Sequence, residues 1–201
     1  MSDRSPLEAG RRERDAYYTP DDVAFECVRR ITPYLRDHRY PSPLVIEPSV
    51  GGGAFIRALH AIGVERTLGV DIDPNAAGLL ISRTAIRSTF ESVHLDSCDR
   101  DRAVWVVGNP PFKHALEHVE HALSLAFAMR ANPTLPAGGV GFLLRLAFLE
   151  GKARRRFWDR YPVTDLHVLS ERPSFTGGKT DSCAYGFFVW RDGPREPVRW
   201  M

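Results

Sequence analysis

Between residues 43 and 74 the chain reads as a short buried strand (PLVIEP), a corner Ser49-Val50-Gly51-Gly52-Gly53-Ala54-Phe55, an apolar helical stretch with Leu59 and Ile62, and a second strand ending in Asp71-Ile72-Asp73-Pro74. Three glycines at a strand-to-helix corner let the backbone approach a ligand closely, with helix amides pointing at it. An acid about 20 residues past such glycines is placed to grip the hydroxyls of a ribose. Strand, glycine loop, helix, strand and acid together make a nucleoside-binding half of an open α/β sheet. A dinucleotide fingerprint needs a further glycine where Ile56 stands, which disfavours a nicotinamide cofactor. Gly178-Lys179-Thr180 does not complete a P-loop either, because the glycine required five residues before Gly178 is Pro173.

A second corner completes the pattern. Residues 103–107 form another apolar strand that runs through Gly108 into Asn109-Pro110-Pro111-Phe112. Pro111 pushes Pro110 into an extended conformation, so the tetrapeptide taken alone is compatible with an ordinary rigid turn. Placed after a buried strand it gains a different meaning. Ligands of open α/β sheets bind beyond the carboxyl ends of the strands, so this turn and the glycine loop face one crevice.

The remaining chain supports a single domain over residues 16–201, preceded by a polar, charged segment, residues 1–15, that is expected to be disordered and reads as neither signal peptide nor anchor. Net charge is only +2, although 24 of the 27 basic residues are Arg, the side chain shaped for phosphate forks. Cys27, Cys98 and Cys183 are odd in number and scattered, without disulfide or metal-ligand spacing, which fits a cytoplasmic protein. Apolar runs such as residues 141–144 stop at Arg145, far short of the ~20 needed to span a bilayer, so no membrane association is expected.

Thr19 is expected to N-cap a first helix with Pro20 in its first position; Ala24, Val28, Ile31 and Leu35 follow at helical spacing, and Pro33 is expected to end or kink it. Residues 81–90 are helix-compatible, and residues 92–95 read as a third strand ending at Asp96. That acid either accepts a hydrogen bond from an adenine amino group or opens the following turn. Leu116, Val119, Leu123 and Phe127 mark a helix after the Asn-Pro-Pro-Phe turn. His114, His118 and His121 on it lack a partner carboxylate or Cys pattern and read as a solvated face, with no metal site. Residues 140–148 form a fifth strand containing Arg145. The following Gly151-Lys152-Ala153-Arg154-Arg155-Arg156-Phe157-Trp158 interleaves bases with aromatics and serves either a phosphate backbone or a solvated helix face. Residues 165–169 and 184–190 are two last strands, joined by a loop long enough to be functional, with Arg172 and Phe175 in it.

In motif order, residues 17–190 resemble the S-adenosylmethionine-dependent amino-methyltransferases, specifically the adenine-directed DNA enzymes with an (Asp/Asn)-Pro-Pro-aromatic turn. The resemblance implies a Rossmann-like, seven-stranded, mostly parallel sheet with helices on both faces and an antiparallel C-terminal hairpin. It implies S-adenosylmethionine as cofactor, held by Tyr18, Thr19 and Pro20, by Glu47, Pro48, Gly51, Gly53 and Phe55 around the methionine end, by Asp71 with Ile72 at the ribose, and by Asp96 at the adenine. Asn109, Pro110, Pro111 and Phe112 would be catalytic, and Phe175 and Arg172, with Lys152, Arg154 and Arg155, would meet the nucleic acid, DNA ahead of RNA. An exocyclic aromatic amine is a poor nucleophile; acceptors on Asn109 and Pro110 would take its two hydrogens and free its lone pair, while Phe112 stacks on the extruded base. Family members that act at defined sites usually carry a large target-recognition region, and only about 55 residues separate Gly53 from Asn109 here. The expectation is therefore adenine methylation of low or degenerate sequence specificity, or specificity supplied by a separate recognition subunit. Related enzymes act on RNA bases or protein glutamine, and a non-catalytic cofactor-binding subunit is the further alternative.

Overall fold

The chain alternates helix and strand: α1 (Asp21–Leu35), β1 (Leu44–Glu47), α2 (Ala54–Ala61), β2 (Thr67–Asp71), α3 (Ala77–Ile81), β3 (Thr84–Arg87), β4 (Val104–Gly108), α4 (Ala115–Phe127), β5 (Gly139–Arg145), α5 (Arg155–Arg160), β6 (Asp165–Val168), β7 (Tyr185–Arg191) and β8 (Arg199–Trp200). This computed structural model describes residues 18–37, 41–95, 102–128, 138–175, 182–194 and 199–200. The expected disordered segment, residues 1–15, lies outside the described residues, as do Asp96 and Cys98.

The strands form one sheet in the order β3-β2-β1-β4-β5-β7-β6-β8. β1 to β5 pair in parallel, and β7 runs antiparallel to both β5 and β6. This is the expected seven-stranded sheet with its antiparallel C-terminal pair, to which the two-residue β8 adds a parallel edge beside β6. Side chains alternate across it. Val104 and Val106 of β4 join a core under α4 and α5, whereas Trp105 and Val107 join a second core under α1 and α2. A strand covered on both faces explains why its sequence is an unbroken apolar run. Among the described residues no helix is long and apolar enough to cross a membrane.

Strand order reverses between β1 and β4. The chain leaves β1 toward β2 on one side, and β4 pairs on the other. The two special corners thus open into the crevice at the topological switch point, where α/β folds bind ligands.

Several local expectations are corrected. The third strand is not residues 92–95 but Thr84–Arg87, within the stretch read as helix-compatible; it pairs with β2 while three of its four side chains are exposed, so no periodic burial announces it. Residues 90–92 form a 3₁₀ turn instead, with Phe90 and Val93 buried against α4. At the first helix, Pro20 is the N-cap residue and Thr19 makes no cap bond; the helix also continues through Pro33 to Leu35. The histidines of α4 are not one solvated face. His118 is buried against Phe90, with Nδ1 3.1 Å from the His114 carbonyl and 3.3 Å from a Glu91 carboxylate oxygen, and burial holds its pKa below the ordinary imidazole value.

Candidate active site

The glycine loop is held by a set of backbone anchors. Gly51 and Gly53 have φ of 44° and 81°, the left-handed region that side chains avoid. A Cβ on Gly53 would also lie 2.7 Å from Ile81 Cδ1 and 2.9 Å from Gly78 Cα, so α3 packs directly on the loop. Gly78 N–H donates to the Gly51 carbonyl at 2.9 Å. Asp71 accepts from Gly51 N–H at 2.9 Å through one oxygen and from Asp73 N–H at 2.8 Å through the other. The acid expected to meet a ribose therefore also ties β2 to the loop. Arg57 of α2 donates to the Gly52 carbonyl at 2.7 Å and pairs with Asp21, which connects the loop to the start of α1. In the sequence Asp21 reads only as an acid favouring the start of the first helix and Arg57 as an ordinary helical Arg, so neither carries a signal of this link.

Beside the loop, at the end of β1, Glu47 is only 2% exposed. One side-chain oxygen, Oε2, is buried without a hydrogen-bond partner, while the carboxyl accepts from the Ile56 N–H. Burial, reinforced by the Asp71 charge, pushes this carboxyl well above the usual carboxylate range, against the opposing pull of the Ile56 N–H and Arg57. A buried acid with an orphaned oxygen is costly unless a donor or cation arrives to satisfy it.

Glu47, Ser49, Val50, the three glycines, Ala54 and Phe55 line one small cleft together with Tyr18, Thr19 and Asn109. It holds about 20 Å³, because the Tyr18 ring rests on the loop: a Cβ at Gly51 would meet that ring at 2.9 Å. Asn109 enters the cleft from the end of β4, and its Nδ2 donates to the Thr19 hydroxyl at 3.0 Å. That bond ties the amide to the chain just ahead of α1. The hydroxyl expected to cap a helix thus positions a side chain that lines this cleft. Pro110 is buried behind it, and Pro111 begins the 3₁₀ turn from Phe112 to His114.

Phe112 sits in an aromatic cluster, 6.3 Å from Phe175 and 5.6 Å from Tyr185 between ring centroids, with Phe175 and Tyr185 themselves 5.1 Å apart. The Arg145 guanidinium lies 4.4 Å over the Phe112 ring, and its Nε donates to Tyr185 Oη at 3.3 Å. Phe175 thus meets Phe112, and Arg145 and Tyr185 join the same cluster. The sequence did carry a trace of Arg145, a cation closing an apolar strand next to the strand of Asn109.

Other expected residues fall apart from the cleft. Pro48 is buried at the end of β1 and Pro20 is half-buried, while Ile72, following β2, is 60% exposed. Arg172 is exposed. Lys152 and Arg155 are exposed near α5, and Arg154 is used locally, donating to the Ala147 and Glu150 carbonyls and covering Phe148 at 4.9 Å. Phe157 and Trp158 turn inward onto Phe148 and Trp190, so the interleaved aromatics belong to the core and not to a base-stacking surface. A larger cavity, about 260 Å³, lies toward the other end of the sheet between α1 and the β6–β7 pair, lined by Arg29, Arg30, Tyr34, Asp165 and His167, remote from both corners. Among the described residues no cluster of potential metal ligands occurs.

No known family profile matches the chain, and no curated protein does. Solved structures do share its fold. They include a Listeria monocytogenes protein described as a class I S-adenosylmethionine-dependent methyltransferase (TM-score 0.65, 13% identity, covering 93% of this chain and 66% of that one). A Pyrococcus horikoshii protein described as an RNA methyltransferase superposes with a TM-score of 0.64 at 15% identity over 89% of this chain and 86% of its own. The M protein of the type I restriction enzyme EcoKI does so with a TM-score of 0.56 at 15% identity, over 88% of this chain and 44% of that one. The chain has the class I methyltransferase fold, and it spans less than half of the EcoKI protein's length.

Proposed function

We propose that the chain is an S-adenosylmethionine-dependent methyltransferase that acts on the exocyclic amine of adenine in DNA, with low or degenerate sequence specificity. The observation that carries this reading is the meeting of Asn109 and Glu47 in one cleft, the first opening an Asn-Pro-Pro-Phe turn and the second an orphaned acid beside a glycine loop. The residues fit the cofactor: a buried carboxyl with one oxygen unpartnered suits the ammonium of a methionine group, the left-handed glycines suit close backbone approach, and Asp71 with exposed Ile72 suits a ribose and a flat adenine face. When bound, S-adenosylmethionine supplies an electrophilic methyl group. Entry requires the Tyr18 ring to leave the loop.

The protein's own part is positional and electrostatic. Thr19 ties the Asn109 side chain in place, and with Nδ2 as the donor to that hydroxyl the amide oxygen and the Pro110 carbonyl are the acceptors offered to the two amine hydrogens. Acceptors of this kind favour the positive charge that develops on nitrogen in the transition state more than they favour the ground state. Phe112, backed by Phe175 and Tyr185, offers a ring to an extruded base. Likeness to the M protein of the type I restriction enzyme EcoKI supports DNA as the polymer.

The test is transfer of labelled methyl from the cofactor to duplex DNA, RNA and a release-factor-like protein in parallel, with Asn109→Ala as control. Labelled N6-methyladenine in DNA is expected, falling roughly a hundredfold or more in the variant, the scale of one lost preorganised contact. Transfer to RNA or protein alone would reassign the substrate. Tight cofactor binding without any transfer would make the chain a non-catalytic subunit.

A further inference from the structure

We propose that Arg57 is a positioning residue that sets the cofactor loop and the Asn109 amide together, through one short segment, residues 19–21. This rests on the reading above, in which the glycine loop takes S-adenosylmethionine and Asn109 takes the target amine. The peptide between Gly52 and Gly53 has a glycine on either side, so sterics alone do little to choose which way its carbonyl faces. Two hydrogen bonds choose it. Gly53 N–H donates to the Val50 carbonyl at 2.6 Å, and Arg57 Nη1 donates to the Gly52 carbonyl at 2.7 Å. Of the two, the second comes from a side chain. Arg57 is well seated to make it, because its own N–H donates to the Gly53 carbonyl at 2.9 Å and so fixes its backbone in the first turn of α2.

The rest of the guanidinium faces the start of α1. Its Nε lies 3.2 Å from each Asp21 carboxylate oxygen and Nη2 donates to one of them, a fork that fixes direction as well as distance. The two side chains are 48% and 66% exposed, and ion pairs so open to water add little stability. The consequence of this pair is therefore geometric. Asp21 opens α1, with Pro20 as the cap residue and the Pro20 carbonyl accepting from Ala24 N–H at 3.1 Å. The pyrrolidine ring fixes the Pro20 φ, and two residues of chain span at most ~7 Å, so Asp21 and Thr19 do not shift independently. Thr19 is the residue whose hydroxyl accepts from Asn109 Nδ2. From the Gly52 carbonyl to the catalytic turn the path is thus continuous: guanidinium, Asp21, Pro20, Thr19, amide. Lys carries the charge but lacks the fork, and so serves one end of that path at a time.

The test is a double-mutant cycle of Arg57→Met with Thr19→Val. It is read as Kd for S-adenosylmethionine by calorimetry, kcat for methyl transfer to DNA at saturating cofactor, and amide exchange at Gly53 before cofactor is added. Arg57→Met should speed exchange at Gly53 and raise Kd about tenfold, the share of binding-competent loop lost with one hydrogen bond from a charged donor. It should also lower kcat, by less than the loss of up to about tenfold expected of Thr19→Val, which removes the bond to Asn109 itself. In the Thr19→Val background Arg57→Met should leave kcat where it is and still raise Kd about tenfold, because the path to Asn109 is already cut while the loop bond is not. Asp21→Ala, which spares the Gly52 bond, should lower kcat more than it raises Kd. Arg57→Lys should stay closer to Arg57→Met than to wild type in Kd; full recovery would show that charge suffices and overturn the positioning role. A residue that only stabilises the fold would shift the urea midpoint and leave the Kd of the folded protein unmoved. Arg57→Gln serves if the Met variant does not fold, and it must show the same rise in Kd. Wild-type protein that binds S-adenosylmethionine and methylates DNA, with Kd and Gly53 exchange unchanged in the folded variants, overturns the role of Arg57 alone, and additive effects on kcat overturn the link through Thr19. Wild-type protein that binds no S-adenosylmethionine, or transfers no methyl group to nucleic acid, overturns the underlying reading and this proposal together.

Discussion

Replacing Glu47 with Gln keeps the shape of a buried side chain and removes its titration, which makes it the sharpest probe of the proposed cofactor cleft. With its folded pKa raised by burial, the wild-type acid keeps a proton in the native state at pH values where the unfolded chain has released it. In that window the native state binds more protons than the unfolded one, so stability falls as pH rises from the ordinary carboxylate range toward the raised value. Glu47→Gln should flatten that part of the stability profile. Cofactor binding adds the complementary half. An ammonium beside the orphaned Oε2 favours the ionised carboxylate, so binding expels a proton, up to one per site, and wild-type affinity rises with pH through the same window. The Gln variant forfeits a hydrogen bond to a charged group, about 1.5–3 kcal/mol, or roughly tenfold to a hundredfold in Kd. Calorimetry in two buffers of different ionisation enthalpy reads both quantities, the proton count and the affinity, and urea titrations over a pH series read the stability slope. A folded Gln variant that binds S-adenosylmethionine as tightly as wild type, with the same proton count, would refute the assignment of Glu47 to the methionine end.

Asp71→Ala removes two backbone tethers as well as the proposed ribose contact, so it should weaken cofactor binding by ~1.5–3 kcal/mol or more and speed amide exchange at Gly51 and Asp73; unchanged calorimetric affinity in a folded variant would take Asp71 out of the site. Gly53→Ala puts a Cβ in the left-handed region and against α3, and should cost about 1–3 kcal/mol in chemical denaturation, since strained backbone is added to a close contact. With exposed Lys152, Arg155 and Arg172 as the proposed phosphate contacts and few base contacts beside them, bulk DNA treated with the chain alone should carry methylated adenine in many short or degenerate contexts, with binding that falls steeply with salt. A single long recognition sequence, mapped by single-molecule sequencing without a partner, would contradict that expectation.

Local chemistry made much of this fold legible. The apolar runs of β1, β4 and β5, the helical spacing of Ala24, Val28, Ile31 and Leu35, and the two corners at Gly51 and Asn109 each depend on residues close together in the chain. Periodicity and turn preferences report such residues directly. Thr84–Arg87 escaped because an edge strand is held by pairing with β2 rather than by alternating burial. Phe157 and Trp158 read locally as either a surface for a nucleic acid or part of a solvated helix face, and only the sheet supplies Phe148 and Trp190 for them to bury against. Thr19 had the right chemistry for a helix cap, yet its hydroxyl goes to Asn109, a partner ninety residues away that no local rule can weigh. The seating of Arg145 over Phe112 is of the same kind. It depends on β5 pairing with β4 on one side and β7 on the other, which brings residues 112, 145, 175 and 185 to one rim of the crevice. Sequence specifies the charge and the ring; only the assembled sheet decides that one covers the other.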